Sequence, residues 1–554
     1  MSKVIKRIND SVNWFMDELT SSIVAKSGIV TDRFHLGKLI LESLRRYPDA
    51  ILQIDGGTGG AESNRSVMER SILCAIRMKN LGLQEGDVIV LMAPSHLDLC
   101  IPFYASLYIG VIISAIDRTY GIKELQGSFN TTKPKMVFCQ SEKAQDVQVA
   151  LNEIELSAEI ITFDKGDYLC RFSDFLGKPD GINFDEFEPA DFDAESALSI
   201  LIATSGTTGL PKAAAVTHKS YALDPSCLAH FIYCIHRARC TTFPGPTRMT
   251  MIGAPLQWLT ALMNFIGSPI MGYIRLQTSA TVTLNHCKQL LKIYRPTWTL
   301  FSPPMMTSLI KEGDCDLSCL ETLLLAGSAV SSELIDEVKE VIPNVDLFNA
   351  YGMTELAGIA FMLEQSPPRS SGKPSAAFEF RVNTGNDILE PNVPGELWIK
   401  GPAIFKEYYN NPEATAQTFA KDRWFRTGDL FYRDENDFFY FVDRIKLLLK
   451  YKSHQISPVE LENVIRTHPS VLDVAVTGVP DRECGELPVA CVVPINGVEI
   501  DPEEIKELVK DQLTDSKQLR GGVFIVPGLP LTASSKINRQ KVKEMAIQFV
   551  ENNA

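Results

Sequence analysis

Nine consecutive residues, Thr204-Ser205-Gly206-Thr207-Thr208-Gly209-Leu210-Pro211-Lys212, gather four hydroxyls, two glycines and a lysine. Glycines let a backbone approach an anion closely, hydroxyls add donors, and an ammonium adds charge. Together they suit a polyphosphate. The spacing is not that of GxxxxGK[ST], in which the lysine directly follows the second glycine. A second cluster, Gly56-Gly57-Thr58-Gly59-Gly60, has Asp55 before it and no lysine or helical pattern directly after it. It reads as a β-hairpin turn.

A phosphate loop needs a rigid strand to carry it, and the apolar run Leu198-Ser199-Ile200-Leu201-Ile202 leads into this one. Val88 to Met92, Met136 to Phe138 and Ile160 to Phe163 read as further buried strands. Ile122 to Ser128 and Ser332 to Val341 read as helices between such strands. Alternation of this kind through roughly the first 440 residues predicts parallel βαβ units with helices on both faces of the sheets. Leu99 to Ile116 carries no charge and is long enough to span a membrane. Pro102, Gly110 and the β-branched run Val111-Ile112-Ile113 punctuate it, which predicts a buried helix, a turn and a core strand. Beyond residue 440 the pattern changes. Asp437 to Val442 reads as a strand running into Asp443-Arg444-Ile445-Lys446. Leu461 to Thr467 (helix), Val471 to Gly478 and Leu487 to Pro494 (strands), Glu503 to Gln512 (helix) and Val523 to Pro527 (strand) then predict a compact α+β unit. The expected organisation is a large domain over 1–443, a hinge at 444–446 and a small mobile domain over 447–554.

Composition narrows the function classes. Apolar residues make up 45% and charged residues 22%, an ordinary globular balance that excludes disorder as the main state. Net charge is −14, and no basic stripe offsets it, so nucleic acid is not expected as a partner. The 12 cysteines include no CxxC pair, which predicts reduced, mostly buried thiols. No hydrophobic leader opens the sequence. Glu551-Asn552-Asn553-Ala554 is not the Ser-Lys-Leu peroxisomal address, and a cytoplasmic location is expected.

The nine-residue loop resembles the phosphate-binding signature of the adenylate-forming superfamily: acyl-CoA synthetases, 4-coumarate–CoA ligases, peptide-synthetase adenylation domains and beetle luciferases. Further stretches resemble its other motifs, in the same order. Asn349-Ala350-Tyr351-Gly352-Met353-Thr354-Glu355 is similar to YGxTE, and Thr427-Gly428-Asp429 to TGD. Asp443-Arg444-Ile445-Lys446 with Lys450-Tyr451-Lys452 is similar to the hinge segment, and Pro530 to Arg539 to the C-terminal lysine motif. The resemblance covers nearly the whole chain, and its texture is nearest to insect luciferase-like acyl-CoA synthetases.

The resemblance implies that Tyr351 stacks on adenine, with Gly327-Ser328 lining its other side, and that Asp429 accepts the ribose hydroxyls. Arg444 would reinforce ribose or phosphate contacts. The loop residues Thr204, Ser205, Gly206, Thr207, Thr208, Gly209 and Lys212, with Asn349, Ala350, Gly352, Met353 and Thr354, complete the ATP set. Glu355, with Thr207 near the phosphates, is the implied Mg2+ ligand. Lys536 would stabilise the charge gathered when a carboxylate attacks the α-phosphate. The small domain would then turn about Lys446, bringing Lys450, Ser453 and Gln455 to coenzyme A. Trp258, in Pro255-Leu256-Gln257-Trp258, stands where the family lines its acid pocket; an ordinary core tryptophan is the other reading.

Two positions depart from the family pattern. Ser453 follows the Lys-Tyr-Lys segment where glycine is usual, and Ser535 precedes Lys536 where glycine is usual. Each adds a Cβ and gives up easy access to positive φ. Ala203 and Ala213 are smaller departures. The implied activity is ATP-dependent activation of a fatty or aryl acid as acyl-adenylate, then transfer to coenzyme A. Two alternatives stay open: a luciferase-type monooxygenase that oxidises the adenylate with O2, and a weakly active or non-catalytic acid-binding paralogue. The expected partner is a small carboxylic acid, and the chain is expected as a monomer or homodimer without a transmembrane segment.

Overall fold

The computed structural model describes the chain from residue 11 to 553 except 165–169, 205–211, 223–247, 362–365, 376–377, 386, 453, 496 and 533–535. Two mainly parallel sheets dominate. One runs, in spatial order, Glu407–Tyr408, Lys212–Thr217, Leu198–Thr204, Ile112–Ala115, Val88–Met92, Met136–Cys139, Glu159–Thr162 and Cys170–Arg171. The other runs Asp346–Ala350, Thr322–Ala326, Trp298–Phe301, Met249–Met251, Ile274–Gln277, Ile51–Asp55 and Ala61–Ser63.

Helices Leu36–Arg46, Asn64–Asn80, Cys100–Ile109 and Leu259–Met271 pack together in the largest core. Other helices cover further faces of the two sheets. Every residue of Cys100–Ile109 is buried, which explains why that helix has no polar stripe. Gly110 ends it at φ 73°, and the chain returns as the strand Ile112–Ala115. The uncharged stretch is therefore helix, turn and core strand, as expected. Among the described residues no helix is long and apolar enough to cross a membrane. The glycine cluster after Asp55 is a hairpin turn between Ile51–Asp55 and Ala61–Ser63.

The expected βαβ alternation ends earlier than residue 440. Glu379 to Arg444 instead forms an antiparallel sheet in the order Asp387–Ile388, Glu379–Thr384, Gly395–Lys400, Phe425–Arg433, Phe439–Arg444. Its first two strands are joined by a turn through Gly385 at φ 58°, too short for a helical crossover. Its Phe380, Phe431 and Phe439 rings cluster on Phe361.

The C-terminal unit has its own two cores. Helices Pro458–Arg466 and Pro502–Gln512 contribute Leu461, Ile465, Ile505 and Val509 to one. The helix Arg539–Asn553 contributes Val542 and Ala546 to the other. Between them lies a sheet in the order His454–Ile456, Leu449–Tyr451, Gly485–Pro494, Val471–Asp481, with Gly522–Ile525 parallel to Gly485–Pro494. The final helix and the hairpin Leu449–Ile456 were not anticipated.

Candidate active site

Two neighbouring parallel strands, Thr322–Ala326 and Asp346–Ala350, end level, with Ala326 opposite Ala350. Their carboxyl ends release Gly327 and Tyr351 side by side, where open α/β sheets bind ligands. Gly327 takes φ 95° and, with Ser328, is exposed. The Tyr351 ring lies 4.9 Å from Phe431 and 5.7 Å from Phe361. Asn349 donates to the Ser370 carbonyl at 3.2 Å, and Ala350 is buried. Gly352 and Met353 pair with Ile359 and Gly358 in a short hairpin that carries Thr354 and Glu355.

Asp429 comes from the antiparallel sheet. Gly428 before it stands at φ 71°, and its N–H donates to Glu396 Oε1 at 3.3 Å. Thr427 Oγ1 donates to the Leu397 carbonyl at 2.7 Å. This turn points a carboxylate, 2% exposed, at Tyr351. Tyr351 donates its hydroxyl to Asp429 Oδ2 at 2.7 Å. Arg444 is directly opposite Asp429 in the ladder, and its Nε lies 3.3 Å from Oδ1. Burial raises the Asp429 carboxyl, while Arg444 and Tyr351 pull it down.

Lys536 reaches this cluster from the C-terminal unit. Leu531 pairs with Ile537, and Thr532 N–H donates to the Lys536 carbonyl at 2.7 Å. A Cβ placed on Gly327 would lie 3.2 Å from Lys536 Cε and 3.8 Å from Nζ. The ammonium is lowered by desolvation and by Arg444, with Asp429 acting the other way. Tyr351, Asp429, Arg444, Gly327 and Lys536 thus converge on one cleft between the two units.

The ends of the phosphate-type loop are fixed by strand pairing. Thr204 lies opposite Lys212, and its hydroxyl donates to the Lys212 carbonyl at 3.2 Å. Ser205, Gly206, Thr207, Thr208 and Gly209 lie outside the described residues, as do Ser453 and Ser535. Glu355 is 8% exposed, and its Oε1 accepts the Tyr408 hydroxyl at 2.7 Å. Burial raises its carboxyl, and the Tyr408 bond opposes that. An oxygen donor of this kind fits magnesium, which takes one or two carboxylates and completes its shell with phosphate oxygens and water. Among the described residues no three His, Cys, Asp or Glu side chains converge as a metal cage.

Four expected residues lie elsewhere. Lys446 is exposed in the short 3-10 turn Ile445–Leu447. Lys450 and Gln455 are cross-strand partners and also exposed. Trp258 is half-buried at the N-cap of Leu259–Met271, and its indole Nε1 is buried without a partner among the described residues. That helix abuts the Glu355 hairpin, since a Cβ on Gly358 would lie 3.6 Å from Met263 Cε.

The sequence is similar to known proteins along most of its length. The signature of AMP-binding enzymes matches residues 40–409, and that of the AMP-binding enzyme C-terminal domain matches 460–536. The chain belongs to the AMP-binding enzyme family. Among AMP-binding enzymes, luciferin 4-monooxygenase of Photuris pensylvanica is 31% identical over 92% of this chain and 95% of its own. The 4-coumarate–CoA ligase-like protein 9 of Arabidopsis thaliana is 28% identical over 86% and 83%. ATP-bound MatB from Rhodopseudomonas palustris shares the fold, with TM-score 0.81 at 21% identity over 93% of this chain and 99% of that one.

Sequence reasoning passed over Tyr408, Glu396 and the role of Asp443. Asp443 is 1% exposed and accepts from the Ser457 hydroxyl and from Val459 N–H at 3.2 Å, tying the end of the antiparallel sheet to the helix Pro458–Arg466. Tyr408 sits on a two-residue edge strand with no local periodicity to flag it. The Asp443–Ser457 spacing of fourteen residues is no helix or strand repeat.

Proposed function

We propose that this AMP-binding enzyme activates a carboxylic acid with ATP, in the cleft where Lys536 meets Tyr351, Asp429 and Arg444. The observation that carries this reading is the approach of Lys536 to Gly327, because it sets a cation beside a nucleotide-type cradle on another unit. In the reaction a carboxylate oxygen attacks the α-phosphorus of ATP. The P–O bond to pyrophosphate breaks, giving acyl-AMP and pyrophosphate. Two anions must approach each other, so fixed positive charge lowers the barrier. Lys536 provides it at the α-phosphate, and Lys212 stands at the far end of the phosphate loop. Tyr351 offers an aromatic face to adenine. Asp429 is held by its two partners to accept the ribose hydroxyls. Mg2+, when bound through Glu355, would neutralise phosphate charge.

In a second step, the thiolate of coenzyme A would attack the acyl carbon and AMP would leave. Lys450 and Gln455 share an exposed face of the C-terminal unit, and rotation about residues 444–446 would exchange it with Lys536. The bonds of Asp443 to Ser457 and Val459 would break or re-form in that turn. A second reading, in which O2 oxidises the adenylate instead, draws support from the similarity to the Photuris enzyme. Acid-dependent ATP–pyrophosphate exchange tests the shared first step. Thioester from added coenzyme A, against light from a luciferin, separates the two second steps.

A further inference from the structure

Tyr408 occupies a junction that no role assigned above explains. Its strand, Glu407–Tyr408, lies antiparallel on Lys212–Thr217, with Tyr408 opposite Ala214. Tyr409 N–H donates to the Ala213 carbonyl at 2.8 Å, and Phe405 N–H donates to the Glu355 carbonyl at 2.8 Å. The segment is therefore tied by backbone bonds both to the strand leaving the phosphate loop and to the turn carrying Glu355. The side chain repeats that arrangement. Its hydroxyl donates to Glu355 Oε1 at 2.7 Å, and the Lys212 ammonium stands 5.0 Å from its ring centroid. Tyr408 is 7% exposed, and the Phe405 ring, 4.9 Å away, fixes its own ring plane. A charge-assisted bond to a buried carboxylate and a cation over an aromatic face both hold a specific geometry.

Building on the ATP-activation reading, we propose that Tyr408 is a positioning residue for the nucleotide. It aims the Glu355 carboxylate through its hydroxyl and seats the Lys212 side chain on its ring. One side chain then sets the spacing between the metal-side carboxylate and the phosphate-side ammonium. The two functions of the side chain separate by substitution. Tyr408→Phe keeps the ring, its packing and the Lys212 seat but removes the hydroxyl. Tyr408→Leu removes both.

The test is calorimetric titration of the full chain with ATP, once with Mg2+ and once with EDTA, alongside thermal unfolding of each unliganded variant. Tyr408→Phe is expected to weaken Mg·ATP binding by about tenfold, the usual cost of a lost hydrogen bond to a charged group, and to leave metal-free ATP binding unchanged. Tyr408→Leu is expected to weaken both. Equal Mg·ATP affinity in wild type and Tyr408→Phe would overturn the proposal. So would a lowered unfolding temperature with unchanged affinities, which marks a packing role only. Mg·ATP binding without pyrophosphate exchange on any acid would contradict adenylation, while the Tyr408 comparison would still be read. Absence of Mg·ATP binding in the wild type would overturn both.

Discussion

Partial desolvation and the neighbouring Arg444 guanidinium make the Lys536 ammonium give up its proton more easily, although its side chain keeps contact with solvent. Its charge is what the proposed first step uses. Adenylation should therefore be full below the lowered pKa of Lys536 and fade as pH rises through it. The basic limb of a rate–pH profile for pyrophosphate exchange should lie below the ordinary lysine range. In Lys536→Arg, which does not titrate there, that limb should move upward; an unmoved limb assigns it to another group. Lys536→Ala should cut exchange by about 100- to 1000-fold, as removal of one preorganised charge-stabilising donor does. Conversion of a supplied acyl-adenylate should survive in that variant, and equal loss of both steps would contradict the division of labour. Lys536, Asp429 and Tyr351 stand out in the sequence because their motifs are local. Tyr408 does not, because it meets Glu355 from 53 residues away in the chain.

Elements place these side chains, and their tolerances are narrow. A Cβ on Gly352 would fall 2.4 Å from the Gly358 carbonyl oxygen, inside any allowed contact. Gly352→Ala should displace the hairpin bearing Glu355 and weaken Mg·ATP by about tenfold or more, an amount typical of a lost charge-assisted bond, measured by titration. Unchanged affinity would mean that the hairpin yields without moving Glu355. Elsewhere, His35 caps the helix Leu36–Arg46. Its Nδ1 accepts from Lys38 N–H at 3.1 Å, and Nε2 pairs with the Ala190 carbonyl at 3.0 Å. That bonding uses the neutral ring, and burial lowers its pKa from 6.5 to about 4. The unfolded chain then binds the proton first, so stability present above pH 6.5 is lost as pH falls toward 4. The loss from His35 alone is about 3 kcal/mol at about 1.4 kcal/mol per pKa unit. His35→Asn keeps a capping acceptor but not the titration, and its denaturant midpoint should fall less between pH 7 and 4 than that of the wild type.

Parallel strands and amphipathic helices were readable wherever a single period ran for a full element, as in Ser332–Val341. Of the antiparallel sheet from Glu379 to Arg444 only the last strand carries a readable pattern, because the other pairings depend on partners rather than on period. Leu449–Tyr451 and His454–Ile456 are three residues each, too short to carry a pattern. The helix Arg539–Asn553 buries a narrow stripe around Val542 and Ala546, which composition alone does not distinguish from a solvated tail.

For the chain as a whole, the proposed two-step function requires two units that meet in more than one way. Lys446 is exposed and is the proposed pivot, and proline fixes φ. Lys446→Pro should preserve pyrophosphate exchange and suppress thioester formation, assayed separately on one preparation. Loss of exchange with retained transfer would place the pivot elsewhere. Beneath all of this lies the claim that the cleft at Lys536 forms acyl-adenylates. Its most direct measurement is ATP–pyrophosphate exchange in Mg2+ across fatty, aryl and luciferin-like acids. Exchange that depends on at least one acid and disappears in Lys536→Ala is the predicted result. A folded, Mg·ATP-binding protein that exchanges with no acid in the panel would contradict it.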